Sequence, residues 1–159
     1  MFKPSEIFQF AIRIEENGEL FYKTISQKID SQEVKELFGV LANEETEHRK
    51  TYESMLSKIE SYDPPETYPG EYYDYLRAYA DNHIFPREKF SKEIENITNA
   101  ESALNFAMAR EIESILYYQE LKNIVPESEK PKIDKIIAEE RKHYVKLSGC
   151  KDAVCVRSR

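Results

Sequence analysis

Two Glu-x-x-His units, Glu45-Thr46-Glu47-His48 and Glu140-Arg141-Lys142-His143, stand 95 residues apart in this chain. On a helix, positions i and i+3 share a face, so each unit presents a carboxylate and an imidazole to one point. A lone glutamate precedes each unit by about one helix: Glu15 and Glu111, 96 residues apart. Four carboxylates and two imidazoles converging from four helices make a site for two metal ions. Each unpaired buried charge costs several kcal/mol, so such a layer needs a counterion. Two divalent cations balance four ionised carboxylates, and neutral imidazoles add no charge. Mixed oxygen and nitrogen donors without sulfur suit iron or manganese, and zinc also binds such a set. We read two iron ions as the expected pair.

Apolar periodicity predicts the helices that carry these groups. The first runs from Pro4, suited to an opening turn, to Ile29, with an inward stripe of Phe8, Ala11, Glu15, Gly18, Tyr22, Ile25 and Ile29. The second runs from the N-cap Ser31 to Ser61 and turns Val34, Phe38, Leu41, Glu45, His48, Tyr52, Met55 and Ile59 inward. Four prolines between Tyr62 and Asn96 leave room for a short helix, Tyr72 to Asp81, within a long crossover spanning about 62–97. Thr98-Asn99-Ala100-Glu101 reads as a capping box that opens a third helix with Leu104, Ala107, Glu111, Ser114, Tyr118, Leu121 and Val125 inward. Pro126 ends it. A fourth helix from Glu129 points Ile133, Ile136, Glu140, His143 and Leu147 inward, and Gly149 is expected just past its end. The metal-binding candidates thus occupy positions that periodicity reserves for apolar side chains.

The halves repeat. Ala-Ile-Arg-Ile-Glu-Glu-Asn-Gly-Glu-Leu-Phe-Tyr from residue 11 is answered by Ala-Met-Ala-Arg-Glu-Ile-Glu-Ser-Ile-Leu-Tyr-Tyr from residue 107. Duplicated helical hairpins around a shared site follow. Glu15 and Glu45 lie equally far from the Asp30-Ser31 turn, and Glu111 and Glu140 equally far from Pro126. At about 1.5 Å of rise per residue, both levels fall roughly 20 Å from their turns, so all six groups can share one layer.

Composition narrows the alternatives. The 159 residues fit one domain, and 33% charged residues with four glycines favour amphipathic helices over a sheet. A net charge of −7 and the absence of a long basic stripe argue against nucleic-acid binding. The N-terminus reads as lacking a signal peptide, and no apolar run approaches the roughly 18 residues needed to cross a membrane, so a cytoplasmic protein without a membrane partner is expected. Cys150 and Cys155, spaced C-x4-C, match no zinc-ribbon pattern and read as incidental thiols in a C-terminal tail, 150–159, that follows the bundle domain, 1–149.

The paired Glu-(x)6-Tyr and Glu-x-x-His motifs resemble those of the rubrerythrin and ferritin-like di-iron carboxylate family, in its short form without a rubredoxin domain. The resemblance implies an all-α, ferritin-like four-helix bundle with its long crossover between helices 2 and 3. It implies Glu45 and Glu140 as bridging ligands, Glu15 and Glu111 as terminal ligands, and His48 and His143 completing the set. Two departures stand out. Ser114 occupies the place, one turn after the third-helix ligand, where rubrerythrins carry a further glutamate linked to movement of one iron. A rubredoxin module is also missing, so a separate donor such as a rubredoxin-like protein is expected to deliver electrons.

The resulting expectation is an oxidoreductase of oxidative-stress type that reduces hydrogen peroxide or dioxygen at a di-iron centre. The alternatives are a ferroxidase coupled to iron storage and a non-catalytic metal-binding or sensing bundle. Tyr22 and Tyr118, seven residues after Glu15 and Glu111, either hydrogen-bond ligands on neighbouring helices or pack as ordinary core. Gly18 and Ser114 either leave space for an oxidant or permit close helix packing. Glu16, Glu44, Glu113 and Glu139 adjoin the ligand set but point about 100° away and read as surface or flanking charges. His83 reads as a surface or structural residue. The cluster Tyr68, Tyr72, Tyr73, Tyr75 and Tyr79 either packs the crossover on the bundle or forms a subunit contact, which leaves a homodimer open.

Overall fold

The computed structural model describes residues 4–59, 70–84 and 86–157. Among these residues six α-helices follow one another: α1 Pro4–Lys28, α2 Gln32–Ile59, α3 Gly70–His83, α4 Arg87–Glu95, α5 Ala100–Leu121 and α6 Lys130–Arg157. Among the described residues there is no strand. The described residues are all-α, and α1, α2, α5 and α6 form a four-helix bundle of two antiparallel hairpins, α1–α2 and α5–α6.

Local chemistry accounts for the helix ends. Ser31 Oγ accepts from the Val34 N–H at 3.4 Å, and its carbonyl accepts from the Lys35 N–H, so the break between α1 and α2 is short. Glu6 in the first turn of α1 and Lys28 in its last complement the helix dipole. The N-cap of α5 is Asn99, whose side chain accepts from the Ser102 N–H at 2.8 Å, and not Thr98 as the capping-box pattern has it. Asparagine is at least as good an N-cap as threonine, and it shifts the start by one residue.

Two further boundaries differ from the sequence reading. The described part of the crossover holds two helices rather than one. Pro86 sits at the N-cap of α4, where its fixed φ starts a helix instead of breaking one, and Phe90 and Ile94, one turn apart, bury a shared face. Gly149 does not end the last helix, because α6 runs on to Arg157. Cys150 is buried and Val154 packs against the same cluster, continuing the stripe of Leu147. That burial outweighs the roughly 1 kcal/mol helix penalty of glycine. The proposed tail is therefore helical through Arg157. The expected end of the second helix at Ser61, the prolines at 64, 65 and 69, and Tyr68 lie outside the described residues.

The inward stripes are buried almost residue for residue, Gly18 alone being partly open. They form two apolar clusters at opposite ends of the bundle. One gathers Phe8, Tyr52, Met55, Tyr118, Leu121 and Ile133. The other gathers Phe21, Ile25, Phe38, Leu41, Leu104 and Leu147. A fully buried side chain of this size contributes about 1.5–3 kcal/mol, enough collectively to hold a polar layer between them. The crossover covers one face of the bundle: Tyr72 OH donates to the Glu120 carbonyl and carboxylate, and Tyr79 OH donates to the Glu113 carbonyl, both on α5. Phe90 of α4 packs on Phe106 of α5 with ring centroids 5.9 Å apart. The opposite face, between α2 and α6, opens into a groove of about 970 Å³.

Candidate metal centre

The layer between the apolar clusters contains Glu15, Glu45, His48, Glu111, Glu140 and His143, each no more than 4% exposed. Their donor atoms fall into two overlapping groups in which all atoms lie within 4.8 Å of one another: Glu15, Glu45, His48 and Glu140, and Glu45, Glu111, Glu140 and His143. Glu45 and Glu140 belong to both. The two oxygens of Glu140 divide between the groups, Oε1 lying 3.0 Å from His48 Nδ1 and Oε2 lying 3.0 Å from His143 Nδ1. A carboxylate held this way has the geometry of a bridge between two cations. Glu15 and Glu111 each appear in one group, as terminal donors do.

The donor chemistry fits metal ions. Glu15 Oε2, both Glu140 oxygens, His48 Nδ1 and His143 Nδ1 are buried without a hydrogen-bond partner, and all five point into the layer. Orphaned buried polar atoms are rare in folded proteins and call for an explanation; two cations accepting these lone pairs supply one. The protonation pattern agrees. Burial, reinforced by Glu15, pushes the Glu45 carboxyl well above the usual range. Burial and Glu140 push Glu111 up to about 8. For His48, burial opposes the charge, but Glu15 and Glu140 outweigh it and raise the imidazole to about 12. Burial likewise opposes charging His143, yet Glu111, Glu140 and Glu45 shift it upward. Metal binding to such raised groups is coupled to release of their protons.

The hydrogen bonds around the layer cross from one hairpin to the other. Tyr22 OH on α1 donates to Glu111 Oε1 on α5 at 2.5 Å, and Tyr118 OH on α5 donates to Glu15 Oε1 on α1. Each tyrosine orients the carboxylate of the opposite half. On the other side the imidazoles stack at 5.6 Å between ring centroids, with 16° between planes. His48 Nε2 meets Glu139 Oε2 at 2.8 Å, and His143 Nε2 lies 2.6 Å from Glu44 Oε2. At His48 the carboxylate partner fixes the tautomer that leaves Nδ1 free to ligate, whereas His143 Nε2 and Glu44 Oε2 are close without a hydrogen bond between them.

Glu44 and Glu139, expected as surface or flanking charges, are partly exposed and flank the imidazoles of the opposite half. A rotation of about 100° carries them off their own helix's ligand face but toward the helix alongside, where the other half's imidazole ends. The signal lay in the repeat: both units extend to Glu-Glu-x-x-His, Glu44-Glu45 and Glu139-Glu140. Glu16 is exposed, and Glu113 pairs with Arg110 at 2.7 Å. His83 stands outside the layer, its Nδ1 3.6 Å from Glu113 Oε1 and its ring 4.6 Å from that of Tyr79.

A cavity of about 40 Å³ lies between α1 and α5 beneath the crossover. Glu45, Glu111, Gly18 and Ser114 line its inner end, and Tyr79 and His83 its outer end. A Cβ on Gly18 would stand 3.1 Å from Glu45 Oε2, so this glycine permits the close approach of the shared carboxylate. Ser114 Oγ turns back to donate to the Arg110 carbonyl at 2.9 Å, leaving the cavity rather than filling it.

Among the described residues, no helix is long and apolar enough to cross a membrane. No match was found among curated proteins. A solved structure from Thermotoga maritima, described as a ferritin-like diiron-carboxylate protein, is similar over 95% of both chains, with 28% identity and a TM-score of 0.70. The family model for rubrerythrin matches residues 6–151. With nearly the whole chain covered by that match, and carboxylates and imidazoles gathered in its central layer, the chain belongs to the rubrerythrin family.

Proposed function

We propose that this protein is a non-haem di-iron oxidoreductase that reduces hydrogen peroxide or dioxygen with electrons from a separate donor. Glu45 and Glu140 would be shared by both ions, Glu15 with His48 and Glu111 with His143 would complete the two ends, and iron would supply the redox chemistry. The observation that carries this reading is the division of the Glu140 oxygens between two imidazoles inside a fully buried layer. Two ferrous ions held there supply two electrons, the number that, with two protons, converts one hydrogen peroxide to two waters.

The chain's own residues fit that task. The cavity beside Gly18 and Ser114, at about 40 Å³, has room for about three or four water-sized molecules at roughly 10–15 Å³ each, hence for peroxide or dioxygen and not for a bulky hydroperoxide. The apolar clusters above and below exclude bulk water from the layer. Tyr22 and Tyr118 donate hydrogen bonds to Glu111 and Glu15 and so restrain these two carboxylates.

The test is anaerobic loading with ferrous iron. The expected result is two ions per chain, oxidised stoichiometrically by hydrogen peroxide with growth of ferric charge-transfer absorption, and repeated turnover only when a reductase and carrier are added. Binding of one ion or fewer after reconstitution would overturn the di-iron reading. Two ions that peroxide leaves ferrous would overturn the redox reading alone. Ser114→Glu adds a carboxylate at the cavity wall, and a change in the preference between peroxide and dioxygen with two metals retained is the expected outcome.

A further inference from the structure

Aromatic rings lead away from the metal layer in two series that differ in kind. Tyr118, whose hydroxyl donates to Glu15, packs on Tyr117 with ring centroids 6.4 Å apart. Tyr117 stacks on Tyr79 of α3 at 5.8 Å, and Tyr79 meets Tyr75 at 6.4 Å. Tyr117 and Tyr118 are buried whereas Tyr75 is 50% exposed, so phenols in successive contact join a candidate ligand to the surface. From Tyr22, which donates to Glu111, the rings run instead to Phe21 at 5.1 Å, on to Phe106 at 5.0 Å and to Phe90 at 5.9 Å. Phe21 is the counterpart of Tyr117 in the repeat, 96 residues earlier. The repeat has therefore diverged at the second ring, to a phenol in one half and a plain benzene ring in the other.

That difference is one of redox chemistry. A phenol gives up an electron and a proton to a strong oxidant, while a benzene ring without the hydroxyl is far harder to oxidise. The two middle phenols donate to backbone carbonyls, Tyr117 to Ile7 at 3.0 Å and Tyr79 to Glu113 at 2.7 Å. A carbonyl accepts a hydrogen bond but is no base for the proton, so neither ring holds an oxidised state for long. Tyr75 reaches water, where the proton can leave. The cavity supplies a use for such a path: at about 40 Å³ it admits peroxide and excludes an aromatic ring, so an aromatic reductant has to act from the surface.

We propose that Tyr118, Tyr117, Tyr79 and Tyr75 form a relay through which small phenols at the surface return electrons to the layer, with Tyr75 as the exchange site. The inference rests on the redox reading of the site and adds a second class of reductant. A phenol is too weak a reductant for ferric ions, so the relay serves the oxidising equivalents of a further hydrogen peroxide that meets an already ferric layer. Each phenol loses one electron and one proton and becomes a phenoxyl radical. The electron passes inward ring by ring, each tyrosine is restored as it is refilled, and the proton goes to water. Two phenols and one hydrogen peroxide thus give two phenoxyl radicals and two waters. With no phenol supplied, oxidised tyrosine accumulates and turnover depends on the separate donor.

The test treats the full-length ferric chain, loaded with two irons, with excess hydrogen peroxide, first alone and then with guaiacol. Alone, freeze-quenched samples should show a tyrosyl radical by electron paramagnetic resonance, and a nitroso spin trap should label Tyr75 in peptide mass spectra. Guaiacol should abolish the radical and be oxidised, two molecules per peroxide. Tyr117→Phe keeps the ring and removes the phenol, so it should slow guaiacol oxidation about tenfold or more and take the label off Tyr75. Tyr52→Phe is the matched control. Its ring lies 5.0 Å from that of Tyr118, but it is buried, continues to Phe8 and has a hydroxyl without a partner to lose, so guaiacol oxidation should be unchanged. Tyr75→Phe, at the surface, stands in for Tyr117→Phe if loss of the Ile7 contact disturbs folding, which melting temperature and iron content report.

Guaiacol oxidation that survives both Tyr117→Phe and Tyr75→Phe overturns the proposal. So does labelling of residues off the relay with Tyr75 untouched, or the absence of any radical. Oxidation of the ferrous chain by the first equivalent of peroxide needs no tyrosine, so that assay separates failure of the relay from failure of the redox reading.

Discussion

The two sides of the metal layer are built to opposite plans from the same repeat. On the α1–α5 side, carboxylates face tyrosine hydroxyls under a cover of two crossover helices, and the remaining space is about 40 Å³. On the α2–α6 side, imidazoles face glutamates at the floor of an open, lysine-lined groove. A duplicated hairpin brings the same residue types to both ends of the layer, so the ends resemble each other. The sides differ because α1 and α5 carry one set of motifs, α2 and α6 the other, and the crossover shields only the first. A closed polar face and an open one thus flank the same layer.

The largest expected effect comes from a residue that serves both ends. Glu140→Ala removes a donor from both groups of the layer, so metal content should fall from two per chain to one or fewer, whereas Glu15→Ala should spare one ion. Loss of binding also removes the stabilisation that metals confer, about 4 kcal/mol per site when free metal is a thousandfold above its dissociation constant. The melting-temperature difference between loaded and chelated protein should collapse in Glu140→Ala. A variant that keeps two ions and the full difference would remove Glu140 from its bridging place.

The pH dependence is next in size. Glu111, raised from 4.5 to about 8, and His48, raised from 6.5 to about 12, both bind protons more tightly in the folded metal-free chain than in the unfolded one. Their contributions are complete below about 4.5 and 6.5 and are lost as pH climbs through the raised values. Chelated protein should therefore melt at progressively lower temperature between about pH 6 and pH 9, while loaded protein, in which cations replace these protons, should not follow. Thermal melts across that range check the sign; a metal-free chain that gains stability as pH rises would contradict it.

The contrast between the sides predicts unequal costs for equivalent deletions. Tyr118→Phe leaves a buried carboxylate oxygen of Glu15 without its donor where water does not readily enter, a loss of about 1–3 kcal/mol. Glu139→Gln alters a side chain about a third exposed, in a groove where water substitutes, and should cost under about 1 kcal/mol. Metal titrations of the two variants measure the difference. Equal losses would mean that the groove is as dry as the covered side. The smallest effect belongs to Gly18→Ala: its added Cβ meets Glu45 Oε2 at 3.1 Å, requiring a shift of a few tenths of an ångström. Both ions should remain, with a displaced ferric absorption band.

The bundle and the gathering of its central layer were legible because helical periodicity reports burial, and a glutamate on an apolar stripe stands out against it. Glu15, Glu45, Glu111 and Glu140 each interrupt such a stripe, and their distances from the two turns put them at one height. Glu44 and Glu139 escaped the same logic. Periodicity on one helix says which way a side chain leaves its own backbone, and nothing of a neighbour close enough to receive it. The crossover was underestimated for a related reason: proline was weighed as a breaker, although at Pro86 it opens α4. Gly149 was weighed as a stop, although Cys150 and Val154 prolong the buried stripe beyond it.

The crossed tyrosines carry a consequence for how the chain can change over time. Tyr22 steadies a carboxylate of the second hairpin and Tyr118 one of the first, so neither half contains its own complete support. Once duplicated, the hairpins lost the freedom to drift separately, since a substitution at 22 is felt at 111 and one at 118 at Glu15. The heritable unit is accordingly the pair of halves and not the hairpin, and a homologue that replaces one of these tyrosines should carry its compensating change in the opposite half.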